Sequence, residues 1–209
     1  MFVSKLNTSG NYVWAVGFGG IGGDYGRAIA VDASENVYIT GSFQVTVDFD
    51  PGSGVSNLTS AGNDDVFVSK LDSSGSFVWA KRSGGTSGDV PQSIAVDGSG
   101  NVHTTGYFNG SGDFDPGAGT TTLTSAGSDD AFVSKLNSSG DLVWAIRLGG
   151  ADSDGGQSIE VDGSGNVRIV GYFSGSADFD PGAGSNNLTA AGQTDVFVLK
   201  LDSTGALSS

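Results

Sequence analysis

The chain contains no cysteine in its 209 residues, which excludes disulfides, thiol catalysis and cysteine-ligated metals. Basic residues are scarce, with 9 Lys and Arg against 23 Asp and Glu and a net charge of −14. Nucleic acid and anionic membrane surfaces both require a basic footprint, so neither is an expected partner, whereas cations remain open. No apolar run approaches the roughly 20 residues of a membrane helix, so membrane insertion is not expected. Met1 leads straight into a strand-like segment, with no signal peptide ahead of it. No 3.6-residue apolar period runs anywhere, so helices are not expected. A single histidine, His103, leaves little room for His-based catalysis.

What is present is a repeat. Phe2-Val-Ser-Lys-Leu6 returns as Phe67–Leu71, as Phe132–Leu136 and as Phe197-Val-Leu-Lys-Leu201, each start 65 residues after the last. A period kept without insertion or deletion marks structural units that pack on their neighbours. The units run over 2–66, 67–131 and 132–196, with 197–209 a partial fourth. Hydrophobic residues make up 37% and charged residues 15%, enough apolar surface for a core and against disorder. The 36 glycines fall between strand-like runs and read as turn punctuation.

In the middle copy, Asp65–Leu71 and Phe77–Lys81 flank the turn Asp72-Ser-Ser-Gly75, and Ser93–Val96 and Val102–Phe108 flank Asp97-Gly-Ser-Gly-Asn101. Both pairs read as hairpins, giving four antiparallel strands per unit. Residues 109–130 read as a long connection. Val66, Val68 and Val78 lie on one parity, and Phe67, Leu71, Phe77 and Trp79 on the other. A sheet apolar on both faces must be covered on both, which favours propeller blades over a solenoid or separate sandwiches. The expected fold is all-β, a β-propeller of four-stranded antiparallel blades with three 65-residue repeats per chain.

The combination of Phe-Val-Ser-Lys-Leu, Val-Trp-Ala, Gly-Gly, Val-Asp-Gly-Ser-Gly-Asn-Val and Gly-Tyr-Phe resembles the bacterial β-propeller repeat family SBBP, whose blades are similar in style to NHL repeats. The resemblance covers essentially the whole chain. It implies a ring of blades in an exported or cell-surface bacterial protein, with no single chemistry attached. If the chain is part of a longer exported protein, the expected location is therefore extracellular or on the bacterial surface. Propellers close with about 4–8 blades, so three must be completed from elsewhere. The outer-strand residues Tyr12, Val13 and Trp14 have no counterpart after Phe197, Val198 and Leu199, and these six are the expected assembly residues. A homodimer would give six blades and a homotrimer nine, with the dimer preferred.

Asp48/Asp50, Asp113/Asp115 and Asp178/Asp180 stand two apart in Gly/Pro-ended loops, where paired oxygens can hold Ca²⁺ or cap turns by accepting backbone N–H bonds. Asp24, Asp89 and Asp154 could add ligands or order the Gly-rich loop, and Asp32, Asp97 and Asp162 read as turn residues. His103 replaces Tyr38 and Arg168 of the other copies and reads as a drifted surface residue. Trp14, Trp79 and Trp144 could stack on sugars or pack between blades. The expected function is non-enzymatic self-association, the alternatives being a Ca²⁺- or carbohydrate-binding surface module and a glycoside-active enzyme, the last requiring an acidic pocket in one blade alone.

Overall fold

The structure is a computed structural model that describes residues 1–208. It is all-β, with no helix among the described residues. The chain opens with a hairpin of β1 (Phe2–Leu6) and β2 (Tyr12–Gly17), followed by the short β3 (Gly19–Gly20). Next comes a four-stranded antiparallel meander. It uses β4 (Asp24–Val31), β5 (Val37–Phe43) and, after an inserted hairpin of β6 (Thr46–Asp48) and β7 (Asn57–Thr59), β8 (Asp65–Leu71) and β9 (Phe77–Gly85). The second meander has the same order, formed by β10 (Asp89–Val96), β11 (Val102–Asp113), β12 (Thr122–Leu136) and β13 (Leu142–Gly150). A third follows with β14 (Gly155–Val161), β15 (Val167–Phe173), an inserted pair β16 (Ser176–Asp178) and β17 (Asn187–Thr189), and β18 (Asp195–Leu201). Beyond β18 a single bridge between Leu201 and Leu207 stands where the other meanders have a full fourth strand.

The repeated text and the sheets are out of phase. The segments at Phe67, Phe132 and Phe197 are the third strands of their sheets, and β1 and β2, which form a two-stranded sheet, match the third and fourth strands of the others.

The turns explain why the strands begin and end where they do. In the first hairpin of the second meander, the Asp97 carboxylate accepts N–H bonds from Ser99 and Asn101 at 2.9 Å and a side-chain bond from Asn101 at 2.7 Å. Asp32 and Asp162 do the same in their units. This is the local chemistry that makes Asp a turn former. In the second and third units the fourth turn position is Gly100 or Gly165 with positive φ, but in the first it is Glu35 at φ 61°.

The segment 109–130, expected as a plain connection, is a hairpin in its own right. Ser111–Asp113 pair with Thr122–Thr124, and the edge of this pair hydrogen-bonds Gly84 and Gly85 from the end of β9. The same small sheet recurs at Gly19–Gly20 and at Gly149–Gly150. Its anchor is the phenylalanine inside Asp-Phe-Asp-Pro-Gly. Phe49, Phe114 and Phe179 are all buried, each wedged between the second- and third-strand phenylalanines of its sheet. Ring centroids lie 5.5 and 4.8 Å apart around Phe49, 5.3 and 5.1 Å around Phe114, and 5.4 and 4.7 Å around Phe179. Burying one such ring stabilises by about 1.5–3 kcal/mol, which ties each insertion to its own sheet.

Glycine is obligatory at one position per sheet. A Cβ on Gly41, Gly106 or Gly171 would meet a backbone oxygen at 1.9–2.2 Å, and the third-strand phenylalanine lies against the same Cα. The first strand bulges opposite each of these glycines.

The insertions enter through Gly110 and Gly175, both at positive φ, yet the first copy places Val45 there at φ 62°. A β-branched residue in the left-handed region costs about 1–2 kcal/mol. Val45 is also exposed, so its side chain gives little packing in return. Val45→Gly is therefore expected to stabilise the chain by about 1 kcal/mol after the added chain entropy of glycine is subtracted. An increased denaturation midpoint at unchanged slope in urea is the measurement.

Candidate functional site

The three tryptophans are placed identically. Trp14, Trp79 and Trp144 each reach from the outer strand of one unit to the outer turn of the next, where the indole N–H donates to the carbonyls of Ser73, Ser138 and Ser203 at 3.2–3.3 Å. Each ring lies over the glycine that closes that turn: Gly75, Gly140 or Gly205. Each indole is thus engaged by the neighbouring turn, which makes these residues latches between units. Gly10 closes the corresponding turn of β1 and β2 at φ +77°, and nothing stands within 4 Å of the place a Cβ would occupy.

The paired aspartates serve their own loops. Asp113 Oδ1 accepts N–H bonds from Asp115 at 3.0 Å and Thr121 at 2.9 Å, and Asp115 Oδ1 accepts from Gly117 at 2.8 Å. Asp48 and Asp50, and Asp178 and Asp180, repeat the pattern. Among the described residues no group of three or more His, Cys, Asp or Glu side chains is arranged to hold a metal ion.

The carboxylates that stand out electrostatically lie elsewhere. Asp65 and Asp89 come from consecutive sheets, are both fully buried, and flank Gly84, whose absent Cβ would meet both. Arg82 pairs with Asp65 at 2.5 Å, while the Gly85 N–H donates to Asp89 at 2.6 Å. Burial raises the pKa of both acids, Asp89 to about 6. Asp130, Arg147 and Asp154 form the same cluster at the next junction. Of this set the sequence points only to Asp89 and Asp154, with Asp24 at the same repeat position accepting from the Gly20 N–H. Sequence reasoning missed Asp65, Asp130 and their arginines, although the Asp before each Val/Ala-Phe-Val strand is itself repeated every 65 residues. The cluster recurs at both junctions, with its carboxylates buried and its arginines partly exposed.

His103 is not a surface residue. It is fully buried, its ring 6.1 Å from Trp144 in an edge-on arrangement, with Nε2 3.6 Å from Asp97. The position reaches back to the turn aspartate in every unit: Tyr38 donates to Asp32 at 3.1 Å and Arg168 to Asp162 at 3.2 Å. Burial, with Lys135 nearby, lowers the His103 pKa to about 4, so the imidazole is neutral at physiological pH. Its sequence variety concealed a fixed geometric role.

Exposure at equivalent repeat positions differs between the middle of the chain and its first and last strands. Ile94 and Ile159 are buried, yet Ile29 at the same repeat position is 56% exposed. Val68 and Val133 are buried where Val198 is 79% exposed, and Phe67 is buried where Phe2 is 78% exposed. Two open faces result, one around β1 and β4 and one on β15 and β18. On the first, a groove of 590 Å³ is lined by the apolar Val3, Leu6, Trp14, Ile29, Val31 and Val37 together with polar residues that include the Lys5–Glu35 ion pair. Of the residues expected at the assembly surface, Tyr12, Val13 and Val198 are exposed, Trp14 is a half-buried latch, and Phe197 and Leu199 lie in the core of their own sheet.

Residues 78–115 match the family model described as SBBP, beta-propeller repeat, so the chain carries this repeat. It is 27% identical to an uncharacterized WD repeat-containing protein of Acanthamoeba polyphaga mimivirus, over 92% of this chain and 16% of that protein. It is also 28% identical to the regulatory protein FlaEY of Caulobacter vibrioides, over 81% of this chain and 18% of that protein. The chain thus spans less than a fifth of the length of these curated relatives.

Two measurements test the acidic residues. If Asp113 caps its loop, Asp113→Ala lowers stability by about 1–2 kcal/mol in urea, equally in EDTA and in millimolar Ca²⁺. A loss confined to Ca²⁺ would instead assign the loop to the metal. The buried acid and the buried imidazole pull in opposite directions with pH. Asp89 binds its proton more tightly folded than unfolded, so it adds stability as pH falls through about 6 toward the unfolded value. His103 binds its proton more weakly when folded, so its contribution is complete above the unfolded pKa and is lost as pH falls toward about 4. Asp89→Asn is expected to steepen the loss of melting temperature between pH 6 and about 4, and His103→Tyr to flatten it.

Proposed function

We propose that this chain is a non-enzymatic interaction module, a β-propeller segment of three four-stranded blades that associates with its own copies through its two open ends. One observation carries the reading: apolar positions buried in the interior of the array are exposed at its ends, so the surface that covers them inside is the surface their exposed counterparts fit. An unburied Ile or Val face of this kind is an association surface. Head-to-tail contact of identical units closes a ring when the rotation sums to a full turn. Two chains supply six blades and three supply nine, and six lies within the range of about 4–8 usual for propellers, so the dimer is preferred. The repeat match and the WD-repeat and regulatory names of the relatives support an interaction role over catalysis. Set within a longer exported bacterial protein, the module would act outside the cell.

Size exclusion coupled to light scattering is expected to give two chain masses at micromolar concentration, or three if nine blades close. A stable monomer overturns the reading, and masses that grow without limit overturn ring closure.

A further inference from the structure

Two segments of this chain hold the same place in the repeat. Phe2–Leu6 and Phe197–Leu201 lie three units apart and share four of five residues. In a head-to-tail contact that keeps the repeat register, both are third strands for the same sheet, and only one can occupy it. The two are complementary in what they lack. β18 has its inner neighbour β15 but only the Leu201–Leu207 bridge outside, whereas β1 has the full outer strand β2 and no inner neighbour among the described residues.

Resting on the self-association reading above, we infer that copies of this chain join by strand exchange. The β1–β2 hairpin of one copy replaces β18 beside β14 and β15 of another. The first two strands of the junction sheet then come from one copy and the last two from its neighbour.

Three further observations fit this occupant. The turn of β1 and β2 is already formed, and its Gly10 is the one such turn glycine not covered by a tryptophan, while Trp144 covers Gly205 at the equivalent place. After exchange, Trp144 of the incoming copy lies over Gly10. Each third-strand phenylalanine in the chain rests on a second-strand glycine, as Phe197 does on Gly171, and the exposed Phe2 has no such partner. After exchange, Gly171 of the incoming copy meets Phe2, as Gly41 meets Phe67. On β4, Ile29 and Val31 line the groove where an incoming first strand would lie and match positions that contact the adjoining unit elsewhere.

Paired cysteines placed in this chain read the exchange directly, since it has no cysteine of its own. Val170 faces Val198 across β15 and β18, and the repeat register places Val3 opposite Val170 after exchange. Under mild oxidation, Val3→Cys with Val170→Cys is expected to link copies into covalent dimers or trimers, while Val170→Cys with Val198→Cys links poorly. The opposite pattern, closure of the second pair within each chain and no linkage of the first, overturns the exchange and leaves self-association intact if light scattering still reports an assembly. A monomer by light scattering overturns both. Phe2→Asp provides an independent reading, because an exposed residue can change without unfolding its own chain. Exchange predicts at least a roughly tenfold weaker assembly with an unchanged melting temperature of the dissociated chain. Unaltered assembly overturns the exchange.

Discussion

The contact between consecutive sheets governs this molecule. Each sheet is apolar on both faces, and a face left in water forfeits about 1.5–3 kcal/mol for every large side chain it carries. Tyr38, Val68, Ile94, Val102 and Leu136 form one such contact, with strands of the first meander on one side and of the second on the other. Each buried hydrophobic cluster among the described residues draws on strands of two consecutive sheets. The units therefore stand or fall with their neighbours, the behaviour of a one-dimensional array.

Layered on this apolar contact are polar devices that set register. The indole latch fixes each outer strand to the next turn, the bifurcated turn aspartates end the strands, and the Asp65–Arg82–Asp89 group joins two sheets through a carboxylate, a guanidinium and a backbone N–H. Buried charge of this sort is weak evidence of stability but good at distinguishing one alignment from another, since a slipped junction would leave a carboxylate unpaired in the interior. The raised pKa of Asp89 is the trace of that desolvation.

Much of this architecture was legible in the residues because the period is long, regular and free of gaps. Strand type and turn chemistry follow from β-branched runs punctuated by turns such as Asp-Gly-Ser-Gly-Asn, whereas the sheets are offset from the repeated text. The insertion was harder to read. Thr120-Thr-Thr-Leu-Thr and Asp-Phe-Asp-Pro-Gly look like polar connection, and only the burial of Phe114 between Phe108 and Phe132 shows why the segment folds back as a hairpin. His103 was misplaced for a related reason. Tyr, His and Arg share no polarity class, yet Tyr38 and Arg168 hydrogen-bond their turn aspartates and His103 Nε2 lies 3.6 Å from Asp97, so the placement persists while the chemistry drifts. Asp65 was overlooked because a carboxylate at a strand start resembles a solvated end until the next sheet closes over it.

The near-identity of the third strands bears on how the chain reaches its fold. During folding, Phe2–Leu6, Phe67–Leu71, Phe132–Leu136 and Phe197–Leu201 present almost the same edge to any free first hairpin, so local energetics alone barely distinguish a correct pairing from one displaced by a whole unit. Discrimination falls to chain connectivity, because β5 reaches β8 through a short insertion and other third strands only by closing longer loops, whose entropic cost grows slowly with length. Synthesis from the N-terminus adds order of its own: when β4 and β5 emerge, β1 and β2 are already present and β8 is not. The hairpin that opens the chain is thus the first competitor its own strands encounter, and refolding from denaturant, where every edge appears at once, is the more error-prone route for a repeat of this kind.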